Sequence, residues 1–207
     1  MKKEILFLLL DKWSDWEAAY LSVGIQMLAG ESYCVKTVAI DKKEVISIGG
    51  FKTVCDYNLS TIPEEYEALI LIGGLSWRKD SYDEIKKIIN QSLEKKKIVG
   101  AICDAAGFLG TIGGLNNIKH TCNDLHDLKS WAGDKYLGED KFIPKMAVSD
   151  NGVITANGTA SLEFAKEALL SLKNIPNETI EKWYQFHKLG CYTVPWPTIE
   201  NPIDTSK

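Results

Sequence analysis

The residues best placed for chemistry lie in "KKKIVGAICDAAGFLG", residues 95–110. There a basic run gives way to an apolar strand over 98–102, then to a single cysteine, Cys103, then to small helix-compatible residues. A thiol at a strand-to-helix junction sits at the carboxyl edge of the sheet, where open α/β sheets bind ligands. The small neighbours Gly100, Ala101, Ala105 and Ala106 permit a sharp turn that lifts the sulfur over the start of the next helix. Such a turn is a nucleophile elbow with cysteine in place of serine. A helix N-terminus favours the thiolate, so Cys103 is expected to ionise well below the ~8.5 of a free cysteine. The same spacing also suits a small core residue, because cysteine is among the most buried residue types.

Two further stretches bear on this choice. "LILIGG", residues 69–74, ends a strand in paired glycines, which let a backbone approach a reacting carbonyl closely. The amides of Gly74 and Asp104 could together form an oxyanion hole, although a Gly-Gly strand end is by itself only a turn signal. In "DKWSDWEAA", Asp15 and Glu17 follow the first strand and so lie at the same edge of the sheet. A carboxyl from here could hydrogen-bond the Cys103 sulfur; ordinary helix-start chemistry fits Asp15 better than Glu17.

The elements that must position these groups alternate along the chain. "EILFLLL" reads as a buried parallel strand, and "SDWEAAYLSVGIQMLAG" as a helix with Ser14 as N-cap and Gly30 as its close. "YCVKTVAI" is a second strand, "VISIGGFKTVCDYNL" a small hairpin or pair of edge strands, and "EALILIGG" a further buried strand. "SYDEIKKIINQSLEKK" is a charged-faced helix, "KIVGAIC" the strand before the thiol, and "DAAGFLGTIGGL" a short helix limited by its glycines. "KMAVSDNGVITA" is a hairpin turning at Asp150, Asn151 and Gly152, and "TASLEFAKEALLSL" and "NETIEKWYQFHKL" are amphipathic closing helices. This alternation implies an α/β fold with a mostly parallel sheet covered on both faces.

Bulk composition narrows the function classes. With 207 residues and 45% hydrophobic content, the chain can bury one sizeable core, and a single domain over 1–207 is expected. A net charge of −4 gives no long-range attraction for nucleic acid or anionic lipid, and Lys95 to Lys97 read as a solvated helix end. The opening "MKKEILFLLLDKW" imitates a signal peptide but stops at Asp11, which suits a first strand better. Five cysteines without an export signal imply reduced thiols and a cytoplasmic location. No metal-ligand spacing is present, and no cofactor is expected.

These motifs, in this order, resemble the DJ-1/PfpI superfamily, which shares a flavodoxin-like, three-layer core with class I glutamine amidotransferases. The resemblance rests on the first strand followed by "DWEAAY", the "ILIGG" strand end, "VGAICDAAGFLG" and "GVITANGTASLEFA". It covers about residues 3–173, leaving a C-terminal helix and tail over 174–207. It implies that Cys103 matches the reactive cysteine, Glu17 the glutamate contacting its sulfur, and Gly74 with Asp104 the oxyanion amides. Family members include peptidases, glyoxalases or deglycases, chaperones and oxidative-stress sensors, commonly as homodimers. A homodimer acting on a small-molecule or peptide substrate is therefore expected.

Departures from the family pattern concern the base. Where the protease-like branch has a histidine after the cysteine, this chain has Asp104; where the DJ-1 branch has one on the following strand, "KHTCN" offers Asn123. "ITANGTASLEF" supplies none at the late turn that glutamine amidotransferases use. Of the three histidines, His120 would point away from Asn123, His126 falls in a loop, and His187 is read as an exposed helix residue. Asp104 is an alternative local acid or base. Cys34 and Cys55 are assigned to the core, Cys191 to an extended tail, and Cys122 to a possible resolving thiol near the elbow. Trp13, Trp16 and Trp77 are expected to wall an apolar pocket, and Trp131, Trp183 and Trp196 to pack in the body or at a subunit contact.

The leading reading is a cysteine-dependent hydrolase, peptidase-like or glyoxalase/deglycase-like, with Cys103 attacking a carbonyl or amide. The alternative is a thiol-based stress sensor or chaperone-like protein in which Glu17 stabilises an oxidised Cys103. Flavin or nucleotide binding ranks last, because "LLLDKWSDWE" contains no glycine for a phosphate loop.

Overall fold

The computed structural model describes residues 2–41, 44–79 and 82–196. Strands β1 (Lys3–Leu8), β2 (Tyr33–Ala39), β5 (Tyr57–Asn58), β6 (Ala68–Leu71), β7 (Ile98–Ile102), β8 (Ala147–Asp150) and β9 (Val153–Ala156) form one sheet. Its order is β5-β2-β1-β6-β7-β9-β8, with only the β8–β9 hairpin antiparallel. A separate antiparallel hairpin joins β3 (Glu44–Ile46) to β4 (Lys52–Val54), as the alternation around the paired glycines implies.

The all-apolar character of β1 follows from its place in the middle of the sheet. Ile5, Phe7 and Leu9 face one layer, and Leu6, Leu8 and Leu10 the other, all buried. A parallel strand covered on both faces has no polar side to show. The first layer contains α1 (Asp15–Ala29), α5 (Ser161–Ser171) and α6 (Asn177–Leu189), which contribute Leu21, Ile25, Phe164, Leu169 and Trp183. On the opposite face, α2 (Asp83–Glu94), α3 (Asp104–Thr111) and α4 (Leu125–Ala132) contribute Ile85, Ile89, Phe108, Leu109 and Leu128. Burying each large apolar side chain stabilises the fold by about 1.5–3 kcal/mol, before the entropy of ordering it.

Small residues in β7 let the two layers close on the sheet at the strand that carries the thiol. A Cβ built at Gly100 would lie 2.9 Å from Ile70 Cδ1 and 3.0 Å from Phe164 Cζ. The β8–β9 turn follows the expected chemistry: Asn151 and Gly152 have φ of 50° and 79°, the left-handed pair of a two-residue hairpin.

Several expectations are corrected. Residues 125–132 form helix α4 rather than a loop, because Asp124 caps it, its Oδ1 accepting from Asp127 N at 2.7 Å. His126 is thus held in the first turn of a helix. Lys97 is not solvated: its Nζ donates to the Tyr66 carbonyl at 2.7 Å and lies 4.1 Å from the Tyr66 ring centroid. Trp77 is a core residue, 1% exposed, with its indole N–H on the Ile72 carbonyl. Cys191 lies in the turn after α6, and Cys34 is only half-buried. Among the described residues, no helix is long and apolar enough to cross a membrane.

Candidate active site

Cys103 occupies the one-residue gap between β7 and α3, with φ 61° and ψ −133°. An L-residue reaches positive φ only at a cost, and such strain persists where the surroundings over-determine it. Here the surroundings are visible: the Cys103 amide donates to Ala156 O at 3.0 Å, and its carbonyl accepts from Ala106 N at 3.0 Å and Gly107 N at 3.3 Å. The strand ladder and the first turn of α3 therefore pin the elbow from both sides.

Two glycines make room for the side chain. A Cβ built at Gly73 would lie 2.5 Å from Cys103 Cβ, and one built at Gly158 would lie 2.8 Å from Sγ and 3.3 Å from Glu17 Oε1. The sulfur is thus enclosed by the end of β6 and by the turn between β9 and α5.

Glu17 is fully buried beneath it, 0% exposed. Its position explains why. Ser14 is the N-cap of α1 and Glu17 the third helical residue, the spacing of a capping box. In a capping box the glutamate would accept from the Ser14 amide, but that N–H goes to the Gly73 carbonyl at 3.1 Å. Asp15, the first residue of α1, turns its carboxylate to the β3–β4 hairpin, its Oδ2 accepting from Gly49 N at 2.8 Å. Glu17 is left free to turn inward. Neither of its carboxyl oxygens has a hydrogen bond of good geometry within the fold. The polar groups that face them are the Cys103 thiol, the Ser14 side chain and the Gly73 backbone.

Electrostatics follow from this burial. Glu17 is pushed up to about 7, first by desolvation, opposed by Cys103 and Ser14. Cys103 is pushed up to about 11, first by burial and then by the negative charge of Glu17, opposed by the Asn123 side chain and the Asp104 amide. The expected lowering of the thiol by the α3 N-terminus is therefore corrected: burial and the adjacent carboxylate outweigh one amide and one side chain. The two groups titrate as a pair, which releases one proton near 7 and keeps a second to about 11. In that range the retained proton sits on the sulfur, beside an ionised Glu17.

Asn123 stands beside the sulfur. Its Nδ2 donates to Cys103 Sγ at 3.3 Å and to Asp104 Oδ1 at 3.4 Å, while its Oδ1 accepts from Gly158 N at 2.8 Å. The opposed donor and acceptor partners set the amide orientation. Trp16 extends the chain of contacts, its half-exposed indole donating to Gly158 O at 2.9 Å. Of the three expected pocket tryptophans, then, Trp16 reaches the site, Trp13 packs against the core beside it, and Trp77 does not.

The Gly74 end of the site comes from a short bridge. Gly74 pairs with Trp13 through Ser14 N to Gly73 O and Leu75 N to Lys12 O, which leaves the Gly74 N–H out of the pairing. Its φ of 139° and the closeness of Lys12 O leave no room for a side chain. Asp104, at the start of α3, is held by Arg78, whose Nη2 donates to the same Oδ1 that Asn123 reaches.

The histidines take no part. His120 is buried, with Nδ1 against Ile118 O at 2.8 Å and Nε2 against Tyr136 Oη at 2.7 Å. His187 is not an exposed helix residue; it is half-buried against Tyr20, Trp183 and Phe186. Cys122 neighbours Asn123 in sequence but its sulfur lies in the opposite core layer and donates to Asp124 O at 3.3 Å. It is thereby turned away from Cys103, which packs against the first layer. The sequence reading missed Gly158 and Arg78 as neighbours of the site. Among the described residues, no group of three or more His, Cys, Asp or Glu could hold a metal ion.

Comparison with known proteins agrees with the fold. The model of the DJ-1/PfpI family matches residues 3–171. The chain is 37% identical over 190 residues to the uncharacterized protease YdeA of Bacillus subtilis, covering 92% of this chain and 93% of that protein. It is 34% identical over 181 residues to the uncharacterized protease YoaZ of the same organism, covering 84% and 86%. Among solved structures, a thiJ/pfpI family protein from Bacillus anthracis superposes with a TM-score of 0.83 at 32% identity, covering 91% of each chain. A DJ-1 superfamily protein from Agrobacterium tumefaciens superposes with a TM-score of 0.80, also at 32% identity, covering 90% of this chain and 98% of that one.

Proposed function

The chain belongs to the DJ-1/PfpI family, and from that premise we propose that it is a cysteine-dependent hydrolase with Cys103 as nucleophile on a carbonyl or amide substrate. The observation that carries this reading is the Cys103 elbow at φ 61°, with its sulfur enclosed between a fully buried carboxyl and an oriented amide. Strain of this kind clusters at working sites. The names of the relatives as proteases point the same way.

The chemistry runs through the proton that the pair retains. As Glu17 takes the thiol proton, the Cys103 electron pair attacks the substrate carbonyl carbon and the C=O π electrons move to oxygen, where the Gly74 and Asp104 amides receive the charge. For an amide, the adduct collapses, the amine leaves with the proton from Glu17, and a thioester remains. Water then hydrolyses it, with Glu17 accepting the proton. For an aldehyde, the proton passes to the former carbonyl oxygen and a hemithioacetal forms.

Alkylation by limiting iodoacetamide across a pH series, read by peptide mass, tests the first step. Cys103 should react with a rise in rate through about pH 7, where Glu17 ionises and becomes able to take the thiol proton, and Glu17→Gln should abolish that rise. Aldehydes, small amides and peptides are then screened against Cys103→Ser. A Cys103 that reacts no faster than the other cysteines up to pH 9 would remove the hydrolase reading.

A thiol-based sensor is the second reading, favoured by the asparagine at the sulfur in place of a base. A Glu17 that keeps its proton to about 7 can donate to an oxidised sulfur. Peroxide treatment that stops cleanly at Cys103 sulfinate, with no turnover of any screened substrate, would favour it over the hydrolase.

A further inference from the structure

Arg78 is the only arginine in the chain; every other basic side chain besides the histidines is lysine. It lies four residues after Gly74, in the segment between β6 and α2. Its guanidinium grips two carboxylates at once. Nε and Nη2 donate to Asp104 Oδ2 and Oδ1 at 2.8 and 3.1 Å. Nη1 and Nη2 donate to Asp127 Oδ1 and Oδ2 at 2.9 and 2.6 Å. The group also lies 4.5 Å from the centroid of the Trp131 ring. A lysine has neither the fork nor the flat face for this arrangement. With four donors so committed, Arg78 is not left open for an anionic substrate.

Three segments meet at this side chain: the one that carries Gly74, the start of α3 with Asp104, and α4 with Asp127 and Trp131. We propose that Arg78 is a positioning residue for the Cys103 site, gripping the Asp104 carboxylate so that the Gly74 and Asp104 amides keep their spacing and the Asp104 charge is cancelled beside the sulfur. The inference rests on the nucleophilic reading of Cys103. The charged groups concerned come from every side of the site. Cys103 faces Glu17 from α1 and Asp104 from α3; Asp127, with His126 beside it, holds Arg78 from α4; the β9–α5 turn and the segment before α4 present neutral amides, Gly158 and Asn123. The Asp104 charge opposes ionisation of both Cys103 and Glu17. Without its arginine, that opposition grows and the thiolate becomes harder to form.

The experiment compares Cys103 alkylation by iodoacetamide across pH in the wild-type protein, Arg78→Lys, Arg78→Met and the double variant Arg78→Met/Asp104→Asn, with circular dichroism as the check on folding. Arg78→Met should react about 10-fold more slowly at neutral pH, the scale of a small misplacement in a site, and its inflection should move above about 7. Arg78→Lys, which keeps the charge but not the fork, should fall between it and the wild type. The double variant removes the charge together with its partner and should bring the inflection back; a purely structural defect would not be repaired this way. An unchanged rate and inflection in Arg78→Met, or a shifted inflection that Asp104→Asn does not bring back, overturns the proposal. A wild-type protein that lacks the inflection would instead count against the nucleophilic reading of Cys103 itself.

Discussion

At the residue scale, the site is built by placing an L-residue where the backbone prefers glycine. Cys103 holds φ 61° and ψ −133° because the β7–β9 ladder and the first turn of α3 both claim its backbone groups. Strain of this kind costs about 1–3 kcal/mol, and the thiol is the only reason for a side chain to be there. Two thiol-free variants separate the terms: Cys103→Gly relieves the strain, and Cys103→Ala keeps it. Cys103→Gly should be the more stable by about 1 kcal/mol, the strain relief exceeding the 0.4–1 kcal/mol that glycine adds to unfolded-chain entropy. Thermal melts of the two check this, and a more stable Cys103→Ala would show that the elbow is unstrained. A second residue-scale test is steric. Gly158→Ala would put a methyl 2.8 Å from Sγ, so Cys103 alkylation should fall at least about 10-fold while the fold is kept.

At the scale of elements, what was legible in the sequence is what local chemistry dictates. The β1 run, the capped start of α1, the Asn151-Gly152 turn and the small residues about Cys103 each carry their reason in neighbouring residues, and each lies where expected. The pairing of Glu17 with Cys103 came from family likeness, because nothing local says that the Ser14 amide will go to Gly73 and release the glutamate. The direction of the Cys103 pKa shift was misjudged for a related reason: a helix N-terminus is visible in sequence, but the burial that outweighs it comes from three distant segments. Helix α4 escaped notice because a short stretch with two buried residues, Leu128 and Ala132, has little periodicity to show. Its stability leans on the Asp124 cap. Asp124→Ala should cost about 1 kcal/mol in thermal unfolding, and by loosening the first turn it should weaken the hold of Asp127 on Arg78. An Asp124→Ala variant with unchanged stability would assign α4 to tertiary packing alone.

At the scale of the whole molecule, a buried acid makes fold stability depend on pH in a direction opposite to that of most paired carboxylates. Glu17 has an ordinary value of 4.5 and a folded value of about 7. Below about 4.5 the proton is on in both the folded and unfolded chain, and the contribution of Glu17 to stability is fully present. Between 4.5 and about 7 the unfolded chain releases the proton while the folded chain retains it, so stability declines through this window. Above it the carboxylate is charged in both states, and burying it costs about 3 kcal/mol. Cys103 adds the same sign higher up, between 9.0 and about 11. Glu17→Gln keeps the shape and removes the titration. Its melting temperature should therefore change less between about pH 5 and about pH 8 than that of the wild type, by about 5–10 °C at the 2–4 °C per kcal/mol of a chain this long. Because every other titrating group is common to both proteins, parallel melting curves across this range would mean that Glu17 is ionised throughout. The protonated Glu17 that the sensor reading needs, and the rise in Cys103 reactivity through about 7, would then be absent.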